Sequence, residues 1–134
     1  MAELIAGTDK SRIAGLSFGG QMHGLVILDR EDRVIRPCIM WNDGRAKRES
    51  DYLNTEVGQD TLAACTGNIS FASFTAAKLL WLKQVEPENF ERIQKIMLPK
   101  DYLCYRMTGT FCTDVSDASG TLLLDVKNRS WSGE

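Results

Sequence analysis

Histidine is nearly missing from this chain: His23 is the only one in 134 residues. A lone imidazole excludes the usual zinc patterns, and no C-x-x-C pair offers a substitute. Basic residues are not in excess. Sixteen Lys and Arg stand against 18 Asp and Glu, so the chain has no basic stripe for nucleic acid. No apolar run approaches the ~20 residues of a membrane helix. The opening Met1-Ala2-Glu3-Leu4-Ile5 lacks the basic and apolar regions of a signal peptide. Repeats and low-complexity linkers are also missing. Without a signal peptide, the scattered Cys38, Cys65, Cys104 and Cys112 are expected as reduced thiols of a cytoplasmic protein, each a small buried apolar side chain. The length supports one domain, or one piece of a larger one.

What is there alternates between short strands and helices. Arg12–Phe18 reads as a strand, with Ile13, Ala14, Leu16 and Phe18 apolar and a Gly-Gly pair stopping it. Leu25–Leu28, the polar turn 29–32 and Val34–Met40 read as a hairpin, with Pro37 favouring an edge or bulge. Arg45–Val57 has helical spacing, with Asp43 a candidate N-cap and Lys47, Arg48, Glu49 and Asp51 on a wet face. Gln59–Cys65 is a second helix closed by Gly67.

Thr75–Val85 is the strongest helix. Its broad apolar surface predicts burial, and Ser73 or Thr75 can cap it. Pro87 ends it and opens Glu88–Gln94. Ile96-Met97-Leu98 reads as a buried strand, Lys100–Thr108 as a helix stopped by Gly109, and Thr121–Val126 as a final strand. The class is α/β or α+β.

The single histidine lies in Gly19-Gly20-Gln21-Met22-His23-Gly24, just after an apolar segment. Glycines there let the backbone turn sharply and approach a ligand. An imidazole beside such a turn can hydrogen-bond a hydroxyl or carbonyl of a small polar molecule.

Five segments in order carry a resemblance. They are Gly20-Gln21-Met22-His23-Gly24; Pro37-Cys38-Ile39-Met40-Trp41-Asn42-Asp43-Gly44-Arg45; Ser73 to Gln84, with Lys78 and Trp81; Leu98-Pro99-Lys100-Asp101-Tyr102-Leu103 with Arg106-Met107-Thr108-Gly109; and Thr113 to Thr121, reading TDVSDASGT. Together the chain resembles the FGGY family of carbohydrate kinases. The Gln-Met-His-Gly spelling is similar to its xylulose-phosphorylating branch.

The resemblance implies an α/β fold: an incomplete ribonuclease-H-like (actin-like ATPase) domain, a mixed sheet with flanking helices. It implies transfer of the γ-phosphoryl of MgATP to a sugar hydroxyl, giving D-xylulose 5-phosphate from D-xylulose. The family's Asp-x-Gly-Thr phosphate and magnesium motif has no counterpart here, since Gly7-Thr8-Asp9-Lys10 has the wrong order. The chain is therefore expected to be a slice of the N-terminal domain without its first strands, with the C-terminal domain absent. Alone it should be inactive, with no catalytic residue, metal or nucleotide of its own.

The resemblance also assigns roles. Met22 would pack on the sugar's carbon skeleton and His23 would hydrogen-bond its oxygens; His23 could instead merely tie down a loop. Gln21 would either support the loop or touch the sugar. Asp43, Asn42 and Trp41 are read as cap, turn former and packing, or as neighbours of the sugar. Ser73 and Phe74 sit where a sugar-facing residue can occur. Lys78 is read as snorkelling beside Trp81 rather than binding phosphate. Asp114, Ser116, Asp117 and Ser119 are read as bracing a turn rather than holding magnesium. Lys10, Arg12 and the charges around Arg45 are read as solvated.

Without its sheet partners, Arg12–Phe18 should recruit another chain or rearrange. The alternatives to a xylulose kinase fragment are a kinase of another ketose or polyol, and a non-catalytic sugar-binding or dimerisation module.

Overall fold

The computed structural model describes residue 3 and residues 5–133. Its centre is the strand β1 (Val26–Leu28), which pairs antiparallel with β2 (Lys95–Met97). On its other side the chain folds back, with Leu25 facing Ile39 and Leu28 facing Val34 as isolated bridges. The expected hairpin therefore forms, but Val34–Met40 makes only scattered ladder contacts. Asp29 builds the turn: its Oδ1 accepts from the Glu31 and Arg33 amides at 3.0 and 2.9 Å.

Neighbouring residues of a strand point to opposite faces, and here both faces are covered. Leu25 and Ile27 join Ile39 and Leu82 in one core, and Val26 and Leu28 join Met97 in another. This explains a strand that is apolar at every position rather than alternating. Helix α3 (Thr75–Val85) supplies Leu82 to the first core, and α5 (Pro99–Thr108) supplies Tyr102 and Tyr105 to the second.

The remaining helices are α1 (Lys47–Tyr52), continued by a π-helical stretch Leu53–Gly58, then α2 (Gln59–Thr66), α4 (Pro87–Glu91) and α6 (Val115–Ala118). Gly67 and Gly109 end α2 and α5 in the left-handed conformation, at φ 72° and 73°, where glycine escapes the Cβ penalty. Pro87 and Pro99 open α4 and α5. A second small antiparallel pair joins β3 (Leu124–Asp125) to β4 (Ser130–Trp131). The α/β class holds, with the strands seen as two short antiparallel pairs.

Several expectations are corrected. Arg12–Phe18 is not a strand. A 3-10 turn covers Lys10–Arg12, and the following extended residues make no ladder among the described residues. Apolar spacing cannot create a strand that has nothing to pair with. Of Thr121–Val126 only Leu124–Asp125 is a strand, because Thr121 ends a 3-10 turn and Val126 already belongs to the next turn.

Glu49 is buried at 4% exposure rather than on a wet face. Asp43 accepts from the Arg45 amide but lies ahead of α1, whose N-cap is Ala46. Neither Ser73 nor Thr75 caps α3, whose N-cap is Phe74 with no side-chain bond. Val85 at the end of α3 is exposed. No disulfide forms among the described residues, and the expected burial of the cysteines is only partial: Cys38, Cys65 and Cys104 are half-buried and Cys112 is exposed.

Candidate functional site

The bend at His23 is strained. Its φ is 64°, a left-handed value on a residue with a full side chain. The Gly24 amide donates to the Met22 carbonyl at 2.8 Å. A bond from i+2 to i around a central residue of positive φ marks the rare, strained form of the γ-turn. Gly24 follows because a Cβ there would lie 2.6 Å from Pro99 Cγ. The bend is thus pressed against the start of α5.

Three kinds of contact hold His23. Its carbonyl accepts from Lys78 Nζ at 2.7 Å and from Thr75 Oγ1 at 3.5 Å, both on α3. Its ring stacks on Phe74, with centroids 4.6 Å apart. Ring Nδ1 lies 2.9 Å from the Gly120 carbonyl oxygen. A carbonyl only accepts, so Nδ1 carries the proton. In the neutral ring Nε2 is then a lone-pair acceptor. Burial lowers the His23 pKa, the Gly120 carbonyl opposes that, and Lys78 lowers it further. The imidazole is therefore held neutral near pH 7, and Nε2 has no hydrogen-bond partner among the described residues.

Met22, beside it, is 51% exposed. Gln21 does not reach toward His23: its Nε2 donates to Met40 Sδ at 3.1 Å, which fits the loop-supporting reading. Lys78 contradicts the snorkelling reading. It is wholly buried, with its ammonium on the His23 carbonyl rather than in water. Trp81 is half-buried beneath the guanidinium groups of Arg45 and Arg36, at 4.9 and 5.8 Å. Arg45 is further tied to Asp43 at 2.7 Å, so it is not simply solvated.

Trp41 is 53% exposed, not packed. With Asn42, Asp43, Phe71 and Ser73 it lines an open hollow of about 500 Å³. Phe71 meets Phe74 edge-on at 5.2 Å, so a chain of contacting rings leads from His23 to the wall of that hollow. A different cavity, about 700 Å³, lies along β2 between Ile96, Leu98, Phe111, Leu123 and Trp131. Gln21, Met22 and His23 do not line it.

The polar run 114–119 braces a turn, as expected. Asp114 caps α6 by accepting from the Asp117 amide at 2.9 Å. Its other oxygen lies 2.6 Å from Lys100 Nζ, which also meets Asp101 at 2.6 Å and Asp117 at 3.2 Å. Burial pulls the Lys100 pKa down, but the three carboxylates outweigh it and hold the ammonium well above its usual range. That cluster is already filled by a cation. Among the described residues no group of three His, Cys, Asp or Glu side chains is arranged to hold a metal ion. With the Lys100 ammonium between these carboxylates, magnesium does not fit here.

The roles of Gly120, Thr75 and Lys78 around His23 leave no mark in the local sequence. Gly120 and its neighbours lie 97 residues away in sequence, and only the SDASGT spelling hinted at them.

The kinked loop presents one imidazole, oriented by the Gly120 carbonyl, on an α/β fold. Residues 1–134 match the N-terminal domain of the FGGY family of carbohydrate kinases, and the chain belongs to that family.

Among its relatives, the xylulose kinase of Escherichia coli (strain K12) is 51% identical over 120 residues, covering 90% of this chain and 24% of that protein. The crystal structure of xylulose kinase from Rhodospirillum rubrum superposes with a TM-score of 0.91 at 30% identity, covering 98% of this chain and 28% of that one. The gluconate kinase from Lactobacillus acidophilus gives 0.89 at 32% identity, covering 97% and 26%. The chain thus spans about a quarter of the length of the curated relatives it matches. Its fold is that of the FGGY sugar kinases. No described helix is long and apolar enough to cross a membrane.

Proposed function

We propose that this chain is part of a cytoplasmic xylulose kinase, and that it supplies one wall of the sugar pocket. The whole enzyme transfers the γ-phosphoryl group of MgATP to D-xylulose, giving D-xylulose 5-phosphate. Nucleotide, magnesium and the base that activates the accepting hydroxyl belong to parts of the enzyme outside residues 1–134. The chain itself is a section of the N-terminal domain without its first strands and contributes no catalytic residue. Phosphoryl transfer depends on alignment, and alignment is this wall's task. His23 Nε2 accepts a hydrogen bond from a sugar hydroxyl, Met22 packs on the carbon skeleton, and Gln21 holds the loop through Met40.

One observation carries this reading: the His23 ring is fixed at Nδ1 and on its face, while Nε2 meets no hydrogen-bond partner among the described residues, beside an exposed methionine. The test is a chemical-shift titration of the chain with D-xylulose, D-gluconate and glycerol. Saturable shifts at His23 with D-xylulose are expected, weakened about tenfold or more in His23→Ala, as befits one hydrogen bond lost without replacement. A preference for another sugar would move the enzyme to a different FGGY activity, a reading kept open by the similar gluconate kinase fold. Silence toward every sugar would remove the wall assignment. The purified chain should phosphorylate nothing with ATP.

We further propose that the isolated chain self-associates through the unladdered segment 12–18, where Ile13 and Leu16 are 43% and 57% exposed. Light scattering after size exclusion should show mass rising with concentration, and a monomer throughout would refute this.

A further inference from the structure

We propose that Lys78 is a positioning residue for the sugar corner: its buried ammonium grips the His23 carbonyl and so holds the strained turn that presents Met22 and the imidazole. The inference rests on the sugar-wall reading given above.

Lys78 lies in the middle of α3, a position where an apolar side chain would suit the surrounding core. It is instead a lysine with no exposed surface. Taking an ammonium out of water is costly, and a protein tolerates it where a specific partner is met. The hydrogen bond the structure gives that ammonium is to the main-chain oxygen of His23, at 2.7 Å. The residue so held is the one at φ 64°. Thr75, one turn earlier on the same helix face, offers its hydroxyl to the same oxygen at 3.5 Å and is buried too. Helix α3 therefore aims two donors at a single carbonyl. It is itself anchored in the β1 core through Leu82.

A left-handed, non-glycine residue persists only when its surroundings over-determine it. Two helix donors on the carbonyl and the Gly120 oxygen on the ring do this together.

The groups whose charges reach Lys78 are Cys38 on the return limb of the hairpin, Asp43 in the following turn, and the His23 ring. Asp43 is largely committed to Arg45. Helix α1, packed on α3, adds the buried Glu49, and the junction between α3 and α4 adds Glu86, which is paired with Arg36. Burial pushes the Lys78 pKa down to about 8 against the pull of Cys38 and Asp43. The folded value lies below the unfolded one, so the unfolded chain binds more protons between about pH 8 and 10.5. The Lys78 contribution to stability accordingly rises with pH across that window.

The test uses carbon-13 NMR of the chain. Lys78 Cε and the His23 carbonyl carbon should titrate with one shared midpoint near pH 8. Lys78→Met should weaken contacts between the His23 ring and Gly120 and raise the Kd for D-xylulose about tenfold. Lys78→Arg should recover part of that loss, and Lys83→Met, on the exposed side of α3, should change neither reading. If Lys78→Met does not fold, the wild-type titration still decides. Separate midpoints, or Lys78→Met with wild-type affinity, would overturn the proposal. Co-titration in a chain that binds no sugar would overturn the sugar-wall reading and the positioning role with it, leaving a bond of structural use only.

Discussion

Replacing Gly120 by alanine should displace the His23 ring and weaken the response to sugar. A Cβ at position 120 would lie 2.2 Å from His23 Cε1 and 2.6 Å from Nδ1, well inside any tolerable contact. An imidazole free in solvent would swing aside at little cost. This one is bonded at Nδ1 and stacked on Phe74, so moving it forfeits both contacts. Overpacking costs about 1–3 kcal/mol, and the lost hydrogen bond about 1 kcal/mol more. For a chain of this length the melting temperature should fall by roughly 7–14 °C. The Kd for D-xylulose should rise more than about tenfold. The double variant Gly120→Ala with His23→Ala should regain most of the stability but none of the binding, because the two residues share one contact. Wild-type melting and affinity in Gly120→Ala would show that the ring is not confined as described.

Lys100→Met should be the most destabilising change of a single charge. It strands Asp101, which is 7% exposed, against Asp114 and Asp117 with no cation between them. Breaking a buried pair from one side costs about 3–5 kcal/mol. Asp114 is about half exposed, which puts the expectation near 3 kcal/mol at pH 7. The Lys100 ammonium, followed by the Asp117 amide, lowers the Asp114 pKa. A depressed carboxylate pKa adds stability above the unfolded value near 4 and loses it as pH falls through the folded value. The gap between Lys100→Met and wild type should therefore shrink on acidification below about pH 4. Denaturant melts at pH 7 and pH 3.5 measure this. A loss under about 1 kcal/mol at pH 7 would mean the cluster is effectively solvated.

What could be read from the residues follows from where the determining forces lie. Helix α3 and the stops at Gly67, Pro87 and Gly109 depend on side chains a few positions apart, and their bounds emerged almost residue for residue. The apolar run at 25–28 announced a buried strand for the same reason. Arg12–Phe18 failed because a strand is a relation between two segments, and spacing in one says nothing of the other. Helix α6, four residues long, is below the length at which periodicity can register. Lys78 departs from the snorkelling expectation because a charged side chain is ordinarily placed at the surface, and its reason for being inside, the His23 carbonyl, lies on a distant loop. Of the sugar corner, the Gln-Met-His-Gly spelling made the residues visible. The strain at His23 and its grip by α3 and Gly120 were not, since backbone angles and long-range partners leave no local mark.

The notch left by Gly120 also sets an order of events. The imidazole at position 23 and the carbonyl that orients it are 97 residues apart, and closing so long a loop carries an entropic penalty and slows assembly. On a ribosome the corner would wait, contorted and unlocked, until the segment around Gly120 had emerged, making this wall among the last parts of the chain to set.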